Sequence, residues 1–118
     1  MATTIFVFGS NLKGIHGAGA AKEALDKHGA KLGQGVGIQG NSYAIPTKET
    51  PNSRLSLSEI KFHVEEFLDF ARANPNLLFE VTPIGCGLAG YKPHQIAPFF
   101  FDSPGNVLLQ KVFLDELD

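Results

Sequence analysis

Cysteine is nearly absent from this chain, because Cys86 is the only one among 118 residues. A single cysteine excludes an internal disulfide framework and any cysteine-rich zinc site. Long apolar runs are missing as well: no segment is long enough to span a bilayer, and the first residues lack the basic start and apolar stretch of a signal peptide. We therefore expect a soluble, cytoplasmic protein without a membrane partner.

A large excess of charge is also lacking, since 10 lysine and arginine residues stand against 12 acidic residues and the formal net charge is −2. The basic residues are scattered, whereas binding to nucleic acid normally requires a basic face. We expect no direct binding to duplex nucleic acid. A chain of 118 residues that is 43% hydrophobic is expected to form a single domain with one core, spanning residues 1–118.

The histidines lack the spacing of metal ligands, such as the HExxH pattern. There are four of them: His16, His28, His63 and His94. Only His16 lies in a suspected binding loop. We expect neither a metal ion nor a cofactor.

Apolar, β-branched runs alternate with helical patterns along the chain. The patterns predict strands at residues 4–8, 42–45, 77–84 and 107–113, and helices at residues 18–28, 57–73 and 94–100. Gly29 is placed to end the first helix, Pro46 to close the second strand, and Ser56 with Glu59 to form the capping box of the second helix. This alternation predicts a three-layer α/β/α fold with a small, mainly parallel sheet.

Glycine is abundant in two places, because twelve of the thirteen glycines fall within residues 9–40 or 85–90. Loops dense in glycine can turn their N–H groups onto a diphosphate, since no side chain keeps the ligand from the backbone. The first loop also opens a helix, whose free N–H groups favour an anion. Both loops follow predicted strands, and ligands of parallel sheets bind at the carboxyl ends of strands. The alternative is that both are only tight strand-to-helix turns.

Three side chains near these loops have a functional and a structural interpretation. Asn11 either binds ribose hydroxyls or forms an Asx turn. Lys48 acts as a nucleophile or a phosphate partner, or it is a solvated loop lysine. Cys86 is better explained by packing than as a catalytic thiol, because no motif supplies a base.

Two aromatic side chains have similar alternatives. His16 either reaches a phosphate or ribose, or it is exposed to water. Tyr91, after the second loop, either flanks a ribose or forms the rim of the core. The cluster at residues 99–101 is expected to pack the last helix onto the sheet or to leave an apolar patch for an oligomer contact.

Three short motifs, GAGAA at residues 17–21, YAIPTK at 43–48 and IGCGL at 84–88, resemble those of macro domains. The similarity is greatest to the branch that contains the terminal ADP-ribose protein glycohydrolase and the macro-domain antitoxins that reverse DNA ADP-ribosylation. The chain also looks like small macro-like proteins of bacteriophages, which open with the same FGSN strand end at residues 8–11.

The resemblance implies a pocket for ADP-ribose in which the two glycine loops hold the diphosphate and the distal ribose. In the glycohydrolase branch a lysine after a strand attacks the anomeric carbon and an aspartate helps to resolve the adduct. Lys48 matches the lysine, whereas Ala89 occupies the position of the aspartate. An aspartate that reads adenine in macro domains has no counterpart here.

The expected function is binding of ADP-ribose or a related NAD-derived nucleotide, for sensing or sequestration. The alternative is an ADP-ribosyl hydrolase that uses Lys48 on an ADP-ribosylated protein or nucleic acid, with Glu49 in place of the missing aspartate. The candidate ligand-binding residues are Asn11, His16, Gly17, Ala18, Gly19, Ala20, Thr47, Gly85, Cys86, Gly87, Leu88 and Tyr91, and the candidate catalytic residue is Lys48.

Overall fold

A computed structural model describes residues 3–118 as a mixed α/β domain. In chain order its elements are β1 (Thr3–Asn11), α1 (Gly19–Lys27), β2 (Gly37–Gln39), β3 (Ser42–Thr50), β4 (Ser53–Arg54), α2 (Leu57–Ala73), β5 (Leu77–Val81), α3 (Pro93–Ile96), a 3₁₀ turn (Ala97–Phe100), β6 (Val107–Leu109) and α4 (Lys111–Leu117). No helix within residues 3–118 is long and apolar enough to cross a bilayer.

The strands form one sheet in the order β2-β3-β1-β5-β6, with β4 paired to β3. The central strand β1 runs parallel to both β3 and β5, and β5 runs parallel to β6. Among the described strands, only the short strands β2 and β4 pair antiparallel, both with β3. The predicted mainly parallel sheet is confirmed.

Two apolar clusters lie on opposite faces of this sheet. Successive residues of a strand point to opposite faces, and in β1 Val7 belongs to the larger cluster and Phe8 to the smaller. The smaller cluster holds Ala21 and Ala24 of α1. The larger cluster holds the buried residues of α2, α3, the 3₁₀ turn and α4. Helices therefore cover both faces, as the three-layer prediction requires.

Helix α2 begins and ends where the sequence predicts. The Ser56 hydroxyl accepts the Glu59 N–H, and the Glu59 carboxylate accepts the Ser56 N–H at 3.2 Å, which completes the capping box. The predicted apolar stripe is buried: Ile60, Val64, Phe67, Leu68 and Ala71. Gly29, after α1, has a φ of +78°, which explains why glycine ends that helix.

Strand β3 does not end at Pro46, and this prediction was wrong. The strand continues to Thr50. Its pairing with β2 stops at Ala44, and its pairing with β4 starts at Lys48. Pro46 lies between the two, so its missing N–H breaks no ladder hydrogen bond on that side. The register with β1 also shifts next to this point, between Ser10 and Asn11.

Two other strand predictions were too long. Strand β5 ends at Val81 rather than residue 84. The Thr82 N–H makes the last bond of the ladder, to the Val7 carbonyl, Pro83 has no N–H, and the Ile84 N–H donates to the Thr82 carbonyl at 2.7 Å instead of to β1. Residues 107–113 form only the short strand β6, after which the Gln110 carbonyl accepts the Phe113 N–H and begins α4. The apolar residues of this segment are therefore divided between β6 and α4.

Candidate functional site

A cleft of ≈ 580 Å³ lies at the carboxyl ends of β1 and β3, beside the start of α1. Both glycine-rich segments line it, at residues 17–19 and 85–87, as expected. Its volume falls within the range of about 300–1,000 Å³ that is typical of small-molecule pockets.

Asn11 shapes the first loop. Its Nδ2 donates to the Ile15 carbonyl at 2.9 Å, and its Oδ1 accepts the Ile15 N–H at 3.1 Å. The next residue, Leu12, donates its N–H to the Lys48 carbonyl at 2.9 Å. Asn11 lines the cleft, but its amide is engaged by the loop. The structural interpretation, a turn held by the side chain, accounts for Asn11 without a ribose.

His16 lies outside the residues that line the cleft, and its side chain is buried rather than exposed to water. Its ring meets Phe8 edge-on at 5.2 Å between centroids, and its Nε2 lies 3.1 Å from the Gln34 carbonyl. Nδ1 is buried without a hydrogen-bond partner in the described part of the chain. The predicted exposure of His16 to water was wrong, because His16 packs the first loop onto the sheet. A contact between His16 and a ligand stays a prediction, and the cleft lining does not include this residue.

The second loop is closed by its own backbone. The Tyr91 N–H donates to the Gly85 carbonyl at 2.8 Å, and the Gly90 N–H donates to the Gly87 carbonyl at 3.0 Å. Gly85 has a φ of +76°, which favours glycine at this turn. Cys86 lines the cleft, and burial raises the pKa of its thiol. A raised pKa disfavours the reactive thiolate, in agreement with a packing role.

Tyr91 also lies outside the cleft lining, because the residue is only 8% exposed and its ring is turned toward the hairpin of β3 and β4. Its hydroxyl donates to the Leu55 carbonyl at 2.6 Å. The guanidinium carbon of Arg54 lies 4.2 Å from the ring centroid. A role at the rim of the core therefore fits Tyr91 better than a contact with ribose.

Lys48 is half-buried and lines the cleft, whereas Glu49, next along β3, is exposed and does not. Ala89 lines the cleft where the resemblance calls for an aspartate. Among the described residues that line the cleft there is no carboxylate, so Glu49 does not replace the missing acid.

The hydroxyl groups of the cleft are committed to the backbone. Thr47 donates to the Ser10 carbonyl at 3.4 Å, Thr82 donates to the Val7 carbonyl at 2.7 Å, and Ser10 donates to the Gly35 carbonyl. Thr47 thus lines the cleft, yet its hydroxyl holds β3 to β1. These side chains shape the cleft more than they extend donors into it.

Several backbone N–H groups of the cleft are uncommitted donors. Across residues 3–118, no protein acceptor takes a hydrogen bond from the N–H groups of residues 17–21 or of residues 87–89. The start of α1 has neither a side-chain cap nor an acidic residue in its first turn. Unpaired N–H groups at a helix start carry partial positive charge and favour anions.

Sequence reasoning missed several apolar residues of the cleft. These are Ile15, Pro51, Pro83 and Ile84. Ile15 is 51% exposed, and Leu88 on the other loop is 75% exposed. The sequence contains little signal for them, because single exposed apolar residues are common on protein surfaces and only the fold brings these together in one cleft.

Comparison of the chain with protein-family models, with curated proteins and with solved structures finds no match. The part of the chain from residue 3 onward contains no group of three or more histidine, cysteine, aspartate or glutamate side chains that would hold a metal ion. Among the described residues that line the cleft, Cys86 is the only one of these four residue types.

Proposed function

We propose that the cleft binds a phosphorylated nucleotide of the ADP-ribose type and that the protein senses or sequesters this ligand. The observation that carries the proposal is the arrangement of uncommitted N–H groups at residues 17–21 and 87–89 around one cleft. Two anionic phosphates would accept from these groups, which otherwise donate only to water.

The charge of the cleft supports an anionic ligand. Lys48 is the one charged side chain among the described residues of the lining. No ion pair joins it to an acidic residue in the described part of the chain. An ammonium that is half-buried without a carboxylate partner is well suited to a phosphate, which it attracts as a point charge.

The apolar lining supports a ligand that also has an uncharged part. Ile15 and Leu88 extend from the two loops, and Pro51 and Ile84 add further apolar surface. A nucleobase or a ribose ring would cover these side chains and remove them from water. An inorganic anion would leave them exposed.

Gly87→Ala tests the proposal at the backbone of the second loop. A Cβ built at Gly87 meets nothing within 4 Å, and its φ is not positive, so we expect the variant to fold normally. The added methyl group would lie where a phosphate must approach the N–H groups. Loss of a hydrogen bond to a charged group, about 1.5–3 kcal/mol, corresponds to a Kd roughly 10–100-fold higher.

Isothermal titration calorimetry with ADP-ribose, its cyclic derivatives and NAD measures this effect. Gly105→Ala is the matched control, because Gly105 also has open space around its Cβ and no positive φ, but lies outside the cleft. No saturable heat from any of these nucleotides with the wild-type protein would overturn the proposed function. Equal nucleotide affinities of the two alanine variants would exclude a phosphate contact at Gly87.

The second candidate function is an ADP-ribosyl hydrolase, and the position of Lys48 in the cleft favours it. The absence of a carboxylate from the described lining argues for binding over turnover, because nothing there would act as general acid or base in place of Ala89. Incubation of ADP-ribosylated protein or DNA with the wild type and with Lys48→Ala distinguishes the two. Release that depends on Lys48 would establish the hydrolase.

A further inference from the structure

We propose that Arg54 and Tyr91 form a clamp that holds the loop of residues 85–91 against the β3–β4 hairpin and sets its position relative to Lys48. The consequence for ligand binding rests on the proposed function, since the loop and Lys48 are both assigned to the ligand there. How firmly the clamp holds the loop does not depend on that assignment.

The hairpin side of the clamp is fixed to Lys48 by strand pairing. Arg54 is the register partner of Lys48 in the antiparallel pair of β3 and β4. The next residue, Leu55, donates its N–H to the Thr47 carbonyl at 2.9 Å, and its side chain is buried. Backbone hydrogen bonding therefore sets where Arg54 and Leu55 lie relative to the strand that carries Lys48.

The loop side of the clamp is fixed by Tyr91. Its N–H closes the loop onto the Gly85 carbonyl at 2.8 Å, so the ring projects from the point where the two ends of the loop meet. Leu88, near the tip, is 75% exposed and gives the loop little packing. Cys86 and Ala89 pack against the core, and contacts made by Tyr91 at the end of the loop add to this packing in holding the N–H groups of the loop.

Three contacts join the two sides. The Tyr91 hydroxyl donates to the Leu55 carbonyl at 2.6 Å, the Arg54 guanidinium carbon lies 4.2 Å from the Tyr91 ring centroid, and Arg54 Nη1 donates to the Ala89 carbonyl at 3.4 Å. The planar guanidinium can stack on the ring and reach the loop carbonyl at once, which a lysine cannot reproduce. Arg54 and Tyr91 act on a ligand through the loop, so they are positioning residues.

Cys86 provides a measurement of loop order that needs no ligand. It is the only cysteine of the chain, it lies inside the loop, and its thiol is partly shielded. Opening of the loop would expose it to iodoacetamide. For Arg54→Ala and for Tyr91→Phe we expect alkylation of Cys86 at least about threefold faster than in the wild type, since each variant removes contacts of modest strength.

The two variants separate the effect of the loop's position from the effect of a lost charge. Tyr91→Phe keeps the ring, the cation above it and every charge, and removes only the hydroxyl that donates to Leu55. Arg72→Ala is the matched control for loss of an arginine, because Arg72 lies on α2, pairs with Asp69 and donates to the Asp102 carbonyl, away from the cleft. Thermal melting of each variant verifies that it is folded.

Calorimetry with ADP-ribose is the second measurement. Both clamp variants are expected to bind about fivefold more weakly than the wild type, and Arg72→Ala equally well. Alkylation no faster in the clamp variants than in Arg72→Ala would overturn the clamp. Faster alkylation with unchanged affinity would overturn its role in positioning the ligand site. If the wild type binds no nucleotide, the proposed function fails, while faster alkylation still supports the clamp as the device that orders the loop.

Discussion

Removal of the positive charge at Lys48 is the sharpest perturbation of the proposed ligand site. Lys48→Gln keeps most of the length and the polar end of the side chain, and it removes the one charged group among the described cleft residues. Lys48 is half-buried, so the substitution leaves the described core intact. We expect weaker binding of ADP-ribose with little change in thermal stability.

The expected loss follows from the environment of Lys48. A hydrogen bond that involves a charged group contributes about 1.5–3 kcal/mol, which corresponds to a Kd roughly 10–100-fold higher. Lys48 is only half-buried, so solvent screening places the effect toward the lower end of this range. The same screening predicts that higher salt weakens the wild type more than the variant.

Calorimetry at about 0.15 M and about 1 M salt, where the Debye length falls from about 8 to 3 Å, measures both effects. Lys13→Gln is the control, because Lys13 is an exposed lysine of the first loop that does not line the cleft and its loss changes the net charge equally. Equal Kd values for the two variants, or equal salt dependence of Lys48→Gln and the wild type, would refute a direct contact between Lys48 and the ligand.

Two further predictions concern the fold around the site and the start of α2. Gly35→Ala is expected to destabilise the protein by about 3 kcal/mol, the upper end for overpacking, because a Cβ there would lie 2.1 Å from the Asn11 carbonyl oxygen. Urea unfolding measures this loss of stability. A variant as stable as the wild type would contradict the prediction. Hydrogen bonds from Ser56 lower the pKa of Glu59 in the folded protein. The Glu59 carboxylate therefore contributes fully to the stability of the fold above the ordinary glutamate pKa, and this contribution is lost as the pH falls through the lowered pKa of the folded state. Glu59→Gln should therefore lose less stability than the wild type between pH 7 and pH 3 in urea unfolding, and identical losses would exclude this contribution.

The elements that sequence predicted well are those whose signals are local. The capping box and the apolar spacing of α2 lie within one helix, so residues a few positions apart determine them. The continuation of β3 past Pro46 depends instead on which neighbour pairs with each residue. The residues of one strand do not show which distant segments pair with it, and for that reason β3 was predicted too short.

The site was predicted at the level of the backbone and less well at the level of side chains. Both glycine loops and Lys48 line one cleft, because the carboxyl ends of parallel strands meet at one edge of the sheet. His16 and Tyr91 turn away from it toward partners distant in sequence, the Gln34 and Leu55 carbonyls. A polar side chain that follows a strand is equally suited to a ligand and to a distant carbonyl, and only the fold decides between them.

The glycines differ in what requires them, and this difference bears on the proposed ligand. A Cβ at Gly35 or Gly40 would collide with backbone, so packing alone explains the missing side chain there. Gly17 and Gly87 have open space around a Cβ and no positive φ, so neither packing nor backbone conformation requires glycine. Gly105 shares both properties in a surface turn, so openness alone is not evidence of a ligand.

What distinguishes Gly17 and Gly87 from Gly105 is their position. Each lies in a run of N–H groups that donate to no acceptor within residues 3–118, and the two runs line the same cleft. A side chain at either position would stand between those N–H groups and any ligand in the cleft. A phosphorylated ligand that approaches both backbones, as proposed, would account for glycine at the two positions with one cause. For this reason substitution at Gly87, rather than at the more constrained glycines, is the decisive test of the proposal.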